Sequence, residues 1–409
     1  VRIAPFRGYR HGGRARDLTP VVAPPYDQIS PPMQEALYAM SPDNIVRVSF
    51  PRDADDDKYP RARETLDRWL AEGVWVREGV PAIYPYHQTY AVGGATVTRA
   101  GLIVLGEVTP YAHGTVLPHE RTHAGPKRDR LRLLEATGAD IGLLFMLAAD
   151  PAGELRRASS PVTDPIAEAR DLRGETHRLW RVTDPEAIRR VQAALAESRV
   201  IIADGHHRYE TAVEHAGGHP EARYKLMALF ALEGPGLTIL PNHRLVHGVE
   251  GFAWPRFLAA AVRWFDASPL ADPLAFQPTN RSLAVVAGAD SVVLTLRDDA
   301  VGHLPWPAGT SAAWRALAVS ILHEGLLRPL LDITDAKLDA RTHVDYTADP
   351  AEAVSLARAG HCQAAFLIAP TTPAELQAVV RGGELLPQKS THFYPKLLDG
   401  LVFNRLGDS

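Results

Sequence analysis

Apolar residues along this chain follow two rhythms, a helical recurrence in some stretches and short strand-like runs in others. Leu66, Trp69 and Leu70 recur among charges, which predicts an amphipathic helix over residues 59–70 that stops near Gly73. The runs at 82–86 and 101–105 predict strands, with Gly93-Gly94 turning a hairpin between extended segments. Residues 129–136 predict a short helix that Gly138 can end, followed by an apolar strand over 141–147. The clearest local unit comes next. Asp184 suits an N-cap, Pro185 suits the first helical position, and Ile188, Val191 and Leu195 share one helical face. A short buried strand over 200–203 follows. Further on, 283–287 and 292–296 predict strands and 312–331 a helix. Thr372 and Glu375 form a capping box after the strand 364–368, for a helix that Gly382-Gly383 can stop. The expected class is mixed α/β.

Composition narrows this picture. A chain of 409 residues exceeds one ordinary small core and is expected to form two or three lobes. The expected division is an N-terminal α/β lobe over 1–115, a central region over 116–250 and a C-terminal α/β lobe over 251–409 that returns to the active site. Hydrophobic residues at 46% and charged residues at 22% match an ordinary folded protein and disfavour disorder or fibres. With 44 basic against 48 acidic residues, the net charge of -4 offers no global field for a nucleic-acid backbone. No nucleic-acid partner is therefore expected. Cys362 has no second cysteine to pair with, and reads as a small buried residue. No apolar run approaches the roughly 18 residues of a membrane span, and the first residues lack an apolar signal core. No membrane partner and a cytoplasmic location are expected; oligomeric state is left open.

The strand 200–203 leads into Asp204-Gly205-His206-His207-Arg208, where a helix is expected to begin. A helix start leaves backbone N–H groups unpaired and carries partial positive charge, and an anion satisfies both. Gly205 removes the side chain that would hold a phosphate away, while His207 and Arg208 add donors. The plainer alternative is that Asp204 caps the helix and the histidines are solvated. Positive side chains in a first turn oppose the helix dipole unless an anion is present, which favours the phosphate reading.

Residues 202–212, from Ile202 through this turn to Ala212, resemble the nucleotide-binding motif of the ParB and sulfiredoxin superfamily, which includes free serine kinases. Four further blocks are similar to a bacterial and archaeal family of about 400 residues, long catalogued as a domain of unknown function and linked to ATP-dependent serine kinase activity. They are Pro24-Pro25-Tyr26-Asp27, the stretch 119–131, Leu240-Pro241-Asn242-His243-Arg244-Leu245, and Leu386-Pro387-Gln388-Lys389-Ser390-Thr391 running on to Lys396. The resemblance implies a ParB/sulfiredoxin-like core with additional α/β lobes, ATP as nucleotide substrate, magnesium, and free L-serine as acceptor. It places nucleotide phosphates on Asp204, Gly205, His206, His207 and Arg208.

His119-Glu120-Arg121-Thr122-His123 also fits HExxH, in which one helical face presents two histidines to zinc and the glutamate activates water. Pro118 before it and Gly125-Pro126 after it leave little room for that helix, and Arg121, Lys127 and Arg128 would repel a metal ion. In the phosphoryl-transfer reading the catalytic candidates are His119, Glu120 and Lys127. Glu120 takes a proton from a hydroxyl or helps hold magnesium, while Lys127 and Arg130 neutralise phosphate oxygens. A solvated basic loop with surface ion pairs is the bland alternative.

Asp27 stands in a proline-stiffened loop, as a second candidate base or as a turn cap. Lys389, Ser390 and Thr391 offer a cation and two hydroxyls, in a loop suited to closing over an anion or in an exposed one. His243-Arg244 is expected at a strand edge, as an anion contact or a structural salt bridge. The favoured function is ATP-dependent phosphorylation of a small-molecule hydroxyl. A zinc hydrolase and a nucleotide-binding regulatory protein without transfer activity are the alternatives.

Overall fold

A computed structural model describes residues 1–12, 17–52, 55–122, 124–161 and 163–407. The chain divides into two compact units, one made of 1–237 with 395–409, the other of 238–394. The first takes in the whole of the 1–115 segment and most of the 116–250 segment.

Nine strands build the main sheet of the first unit. They are β1 (Ile3–Ala4), β2 (Tyr84–Val92), β3 (Ala95–Glu107), β4 (Val116–Leu117), β5 (Leu144–Ala148), β6 (Ala167–Arg170), β7 (Thr176–Leu179), β8 (Val200–Asp204) and β9 (Tyr224–Ala231). Their order is β4-β8-β5-β9-β3-β2-β7-β6, with β1 beside β3. Only β4–β8 and β5–β9 run parallel, so the sheet is mixed. Gly93 and Gly94 both hold positive φ (56° and 80°), the pairing that a tight hairpin between β2 and β3 requires.

Helix α1 (Lys58–Ala71) buries Tyr59, Ala62, Leu66 and Trp69 against a cluster that includes Leu133, Ile141 and Phe403. Helix α2 (Ala124–Thr137) begins five residues before the expected 129 and ends at Gly138, with φ of 62°. Helix α3 (Pro185–Leu195) buries Ile188, Val191 and Leu195, the three residues its sequence spacing singles out, against Leu144, Met146, Val200 and Ile202. Helix α4 (His206–Gly218) follows β8 directly.

The segment after residue 394 returns to this unit through specific bonds. The Arg99 guanidinium on β3 donates to the Pro395 carbonyl at 2.6 Å and lies over the rings of Phe145 and Phe230. Gln88 on β2 donates to the Lys396 carbonyl at 2.8 Å, and Asp399 exchanges two backbone bonds with Ala23. Tyr9 and Phe403 do the same.

In the second unit, six antiparallel strands lie in the order β11-β13-β12-β15-β10-β14. These are β10 (His243–Val246), β11 (Phe265–Pro269), β12 (Ser282–Ala287), β13 (Asp290–Leu296), β14 (Val344–Thr347) and β15 (Ala364–Leu367). Helix α5 (Pro350–Arg358) packs Ala353, Val354 and Ala357 onto this sheet, and Cys362 is buried with them. Helix α6 (Pro373–Arg381) starts with the expected Thr372–Glu375 capping box. The single helix expected over 312–331 is instead broken into Ala312–Arg315, Ala318–Leu322, a wide turn over His323–Leu327, and Arg328–Leu331. Leu317 is extended, with ψ of 135°, and Pro329 has no N–H for the carbonyl four residues earlier, which accounts for the wide turn before it.

Candidate nucleotide site at the start of helix α4

Strand β8 carries an irregularity at its last residues. Ile202 faces Met146 and Asp204 faces Phe145, so Ala203 is the extra residue of a bulge. Such a bulge re-aims the end of a strand. Gly205 then turns the chain with φ of 98°, and a Cβ there would lie 2.9 Å from the Leu144 side chain. Both observations demand glycine. No side chain caps α4, so its first N–H groups depend on other partners.

Asp204 does not cap the helix. Its two oxygens meet two cations, Lys396 Nζ at 3.2 Å and Arg208 Nη2 at 3.1 Å. Burial alone would push the Asp204 carboxyl up; Lys396 and Arg208 outweigh it and hold the carboxyl below its ordinary value. Arg208 is buried, and its other terminal nitrogen donates to the Leu143 carbonyl at 2.6 Å. A guanidinium has five N–H donors, so these two bonds fix the fork and leave donors over.

His206 and His119 are buried against each other, edge to face at 4.6 Å. The His119 backbone N–H donates to His206 Nε2 at 3.2 Å, which places the proton of a neutral His206 ring on Nδ1. That nitrogen lies 3.2 Å from Glu120 Oε1, close enough for attraction though not aligned as a hydrogen bond. His119 Nδ1 pairs with the Ile202 carbonyl at 2.6 Å, and burial with the neighbouring His206 pushes His119 down to about 4. His119 is therefore a neutral brace between the loop and β8. Residues 119–122 are not helical, and α2 begins only at Ala124. A zinc-binding pair one helical turn apart requires the helix that this segment lacks. His123, its second histidine, lies outside the described residues.

The expected phosphate cations have internal partners. Lys127 pairs with Glu210 on α4, whose carboxylate also accepts from Thr122 at 2.8 Å. Arg130 pairs with Asp129, donates to the Ser49 carbonyl at 2.7 Å and lies 4.2 Å above the Tyr26 ring. Asp27 is exposed, in a short turn over Tyr26–Gln28. Its charge acts on Arg208 and on Asp399, which places it on the same side of the unit as the turn.

Three groups absent from the sequence expectations belong here: Lys396, Asp399 and Lys225. Lys396 stands at the end of a block that the resemblance includes, the one signal available. Lys225 is buried on β9, where Asp140 and the Gly142 carbonyl hold its ammonium. Asp399 is buried in the returning segment.

Lys389, Ser390 and Thr391 belong to the second unit and are described within it. Lys389 holds a positive φ of 56°. Donors turn the loop carbonyls inward: Asn242 takes those of Lys389 and Thr391, Thr371 takes that of Ser390, and Arg244 takes those of Gln388 and Lys389. His243 and Arg244 are not at a sheet edge, because β10 lies between β15 and β14. Arg244 is fully buried, meets carbonyls and His323 rather than a carboxylate, and serves to hold this loop.

The chain belongs to a family described as "Protein of unknown function (DUF1015)", whose model matches residues 3–320. No curated protein matches it. Among solved structures, it is similar to a conserved hypothetical protein from Pyrococcus furiosus, at 13% identity and a TM-score of 0.38 over 75% of this chain and 96% of that one. A free serine kinase in complex with AMP is similar at 12% identity and a TM-score of 0.37, over 73% and 90% of the two chains. SbnI with C-terminal truncation, from Staphylococcus aureus, gives 13% and 0.37 over 73% and 85%. No helix among the described residues is long and apolar enough to cross a membrane.

Proposed function

With membership of that family as the premise, we propose that the chain is an ATP-dependent kinase acting on the hydroxyl of a small molecule, free L-serine foremost, to give O-phospho-L-serine and ADP. The observation that carries this reading is the uncapped start of α4, where Gly205 leaves the backbone open and Glu120 stands beside the first helical residue, His206. The helix start, Arg208 and Lys396 favour the negative charge of phosphate oxygens. The bond from the γ-phosphorus to the bridging oxygen of ADP breaks, and the acceptor oxygen forms the new phosphoester. Glu120 takes the acceptor's proton, with Asp27 as the second candidate base.

His207, half-buried in the first turn, adds a donor to the same phosphates. Lys127, now paired with Glu210, and Arg130, paired with Asp129, act on the phosphates by charge from the second rank. Magnesium takes mostly phosphate and water oxygens with one or two carboxylates, and Glu120 is a carboxylate of that kind. The resident ion would screen the phosphate charge.

Incubating the purified protein with ATP, magnesium and a panel of hydroxyl amino acids is the direct test. ADP together with a phosphorylated amino acid is expected. Nucleotide binding with no product from any acceptor would overturn the kinase reading in favour of a regulatory nucleotide-binding protein.

A further inference from the structure

Behind the phosphate turn lies a cavity of about 70 Å³, lined by Tyr26, Arg130, Asp140, Arg208, Lys225 and Asp399 among others. One water needs roughly 10–15 Å³, so the space suits something larger. Each of its three cations already faces a carboxylate: Arg130 faces Asp129, Arg208 faces Asp204 and Lys225 faces Asp140. Asp399 stands apart. Its side chain is 4% exposed, and its buried Oδ1 has no hydrogen-bond partner among the described residues.

The backbone makes this placement rigid. Asp399 exchanges bonds of 3.1 and 2.8 Å with Ala23, and Gly400 follows with φ of 93° and room for no Cβ against Ile45. A buried carboxyl oxygen without a donor is costly, the more so when it is charged. A ligand bringing a positively charged donor satisfies that oxygen, whereas an anion does not.

We propose that the cavity receives the α-ammonium group of an amino-acid acceptor, held by Asp399. This rests on the kinase reading, since Arg208 lines the cavity and also begins the phosphate turn. The acceptor's carboxylate lies against the remaining donors of Arg208 and Arg130, and its hydroxyl is directed to the turn. Burial pushes the Asp399 carboxyl up to about 7, while Arg208, Lys225 and Arg130 pull it down and Asp27 raises it further. Binding an ammonium at pH 6 therefore displaces a proton from Asp399.

Calorimetry on the full chain with ADP present tests this, using L-serine and L-glycerate, in which a hydroxyl replaces the amine at the same configuration. Wild type should bind serine at least ~10-fold more tightly than glycerate, as a charge-assisted bond implies. Asp399→Asn, a close mimic of the protonated carboxyl, should lose most of that preference and keep its ADP affinity. As a check that needs no variant, serine binding to wild type at pH 6 should release a proton, read from heats in buffers of different ionisation enthalpy. Unchanged serine preference in Asp399→Asn, or no proton release, would overturn the pocket. Transfer is scored separately. Serine that binds through Asp399 yet receives no phosphate removes the kinase reading alone; transfer to serine that Asp399→Asn leaves intact removes the pocket alone.

Discussion

Two helices that follow one another in the first unit begin in opposite ways. Helix α3 closes its own start: both Asp184 oxygens accept from backbone N–H groups, at 3.1 and 3.2 Å, and Pro185 removes a donor that would lack a partner. Helix α4 begins at a glycine with no cap, and the acidic residue just before that glycine, Asp204, is turned away onto Lys396 and Arg208. The first start is complete in itself. The second is stable only with help from outside the helix, and that dependence is what a binding site needs.

Four substitutions break or sharpen this contrast. The largest effect is expected from Glu120→Gln, which should lower kcat by at least ~100-fold, the ordinary worth of a general base, while ATP affinity stays within ~2-fold. Normal turnover would move the base to Asp27. Gly205→Ala should weaken ATP binding by ~10-fold or more, because a residue with a Cβ must leave the left-handed conformation and shift the turn. Equilibrium dialysis with ATP would show it, and unchanged affinity would place the phosphates elsewhere.

Asp399→Asn has an effect that depends on pH. The Asp399 carboxyl is raised to about 7 by burial. Stability held by its neutral form is full below the ordinary carboxyl range near ~4 and is lost as pH rises through 7, by about 1.4 kcal/mol per unit between them. The variant should melt higher than wild type at pH 8, and the gap should shrink towards pH 5. The smallest effect belongs to Asp184→Ala, a loss of ~1 kcal/mol in thermal or urea unfolding with ATP affinity untouched. A loss of ATP binding there would erase the distinction between the two helix starts.

The same contrast marks what the sequence discloses. Asp184, Pro185 and the apolar face of α3 lie within a dozen residues, so spacing alone predicts them. Gly205 is legible for the same reason. Sequence places Arg130 on a phosphate although its partner, Asp129, is the adjacent residue. Lys127 has a partner, Glu210, that only the packing of α2 on α4 brings near. Asp399 and Lys225 carry no local signal, and Lys396 only its place at the end of a matching block, because topology rather than spacing sets their neighbours. The broken helix at 312–331 shows the same limit, since apolar periodicity persists across a backbone that Leu317 and Pro329 interrupt.

The returning segment gives the site a timetable. Lys396 lies 192 residues beyond Asp204, the carboxylate it neutralises. While the chain is being synthesised, the turn therefore exists first with only Arg208 to balance Asp204, and the whole second unit must be made before the second cation and the Asp399 carboxyl arrive. The proposed nucleotide and acceptor sites would thus be completed together, late, and only in a chain whose other unit has already been made.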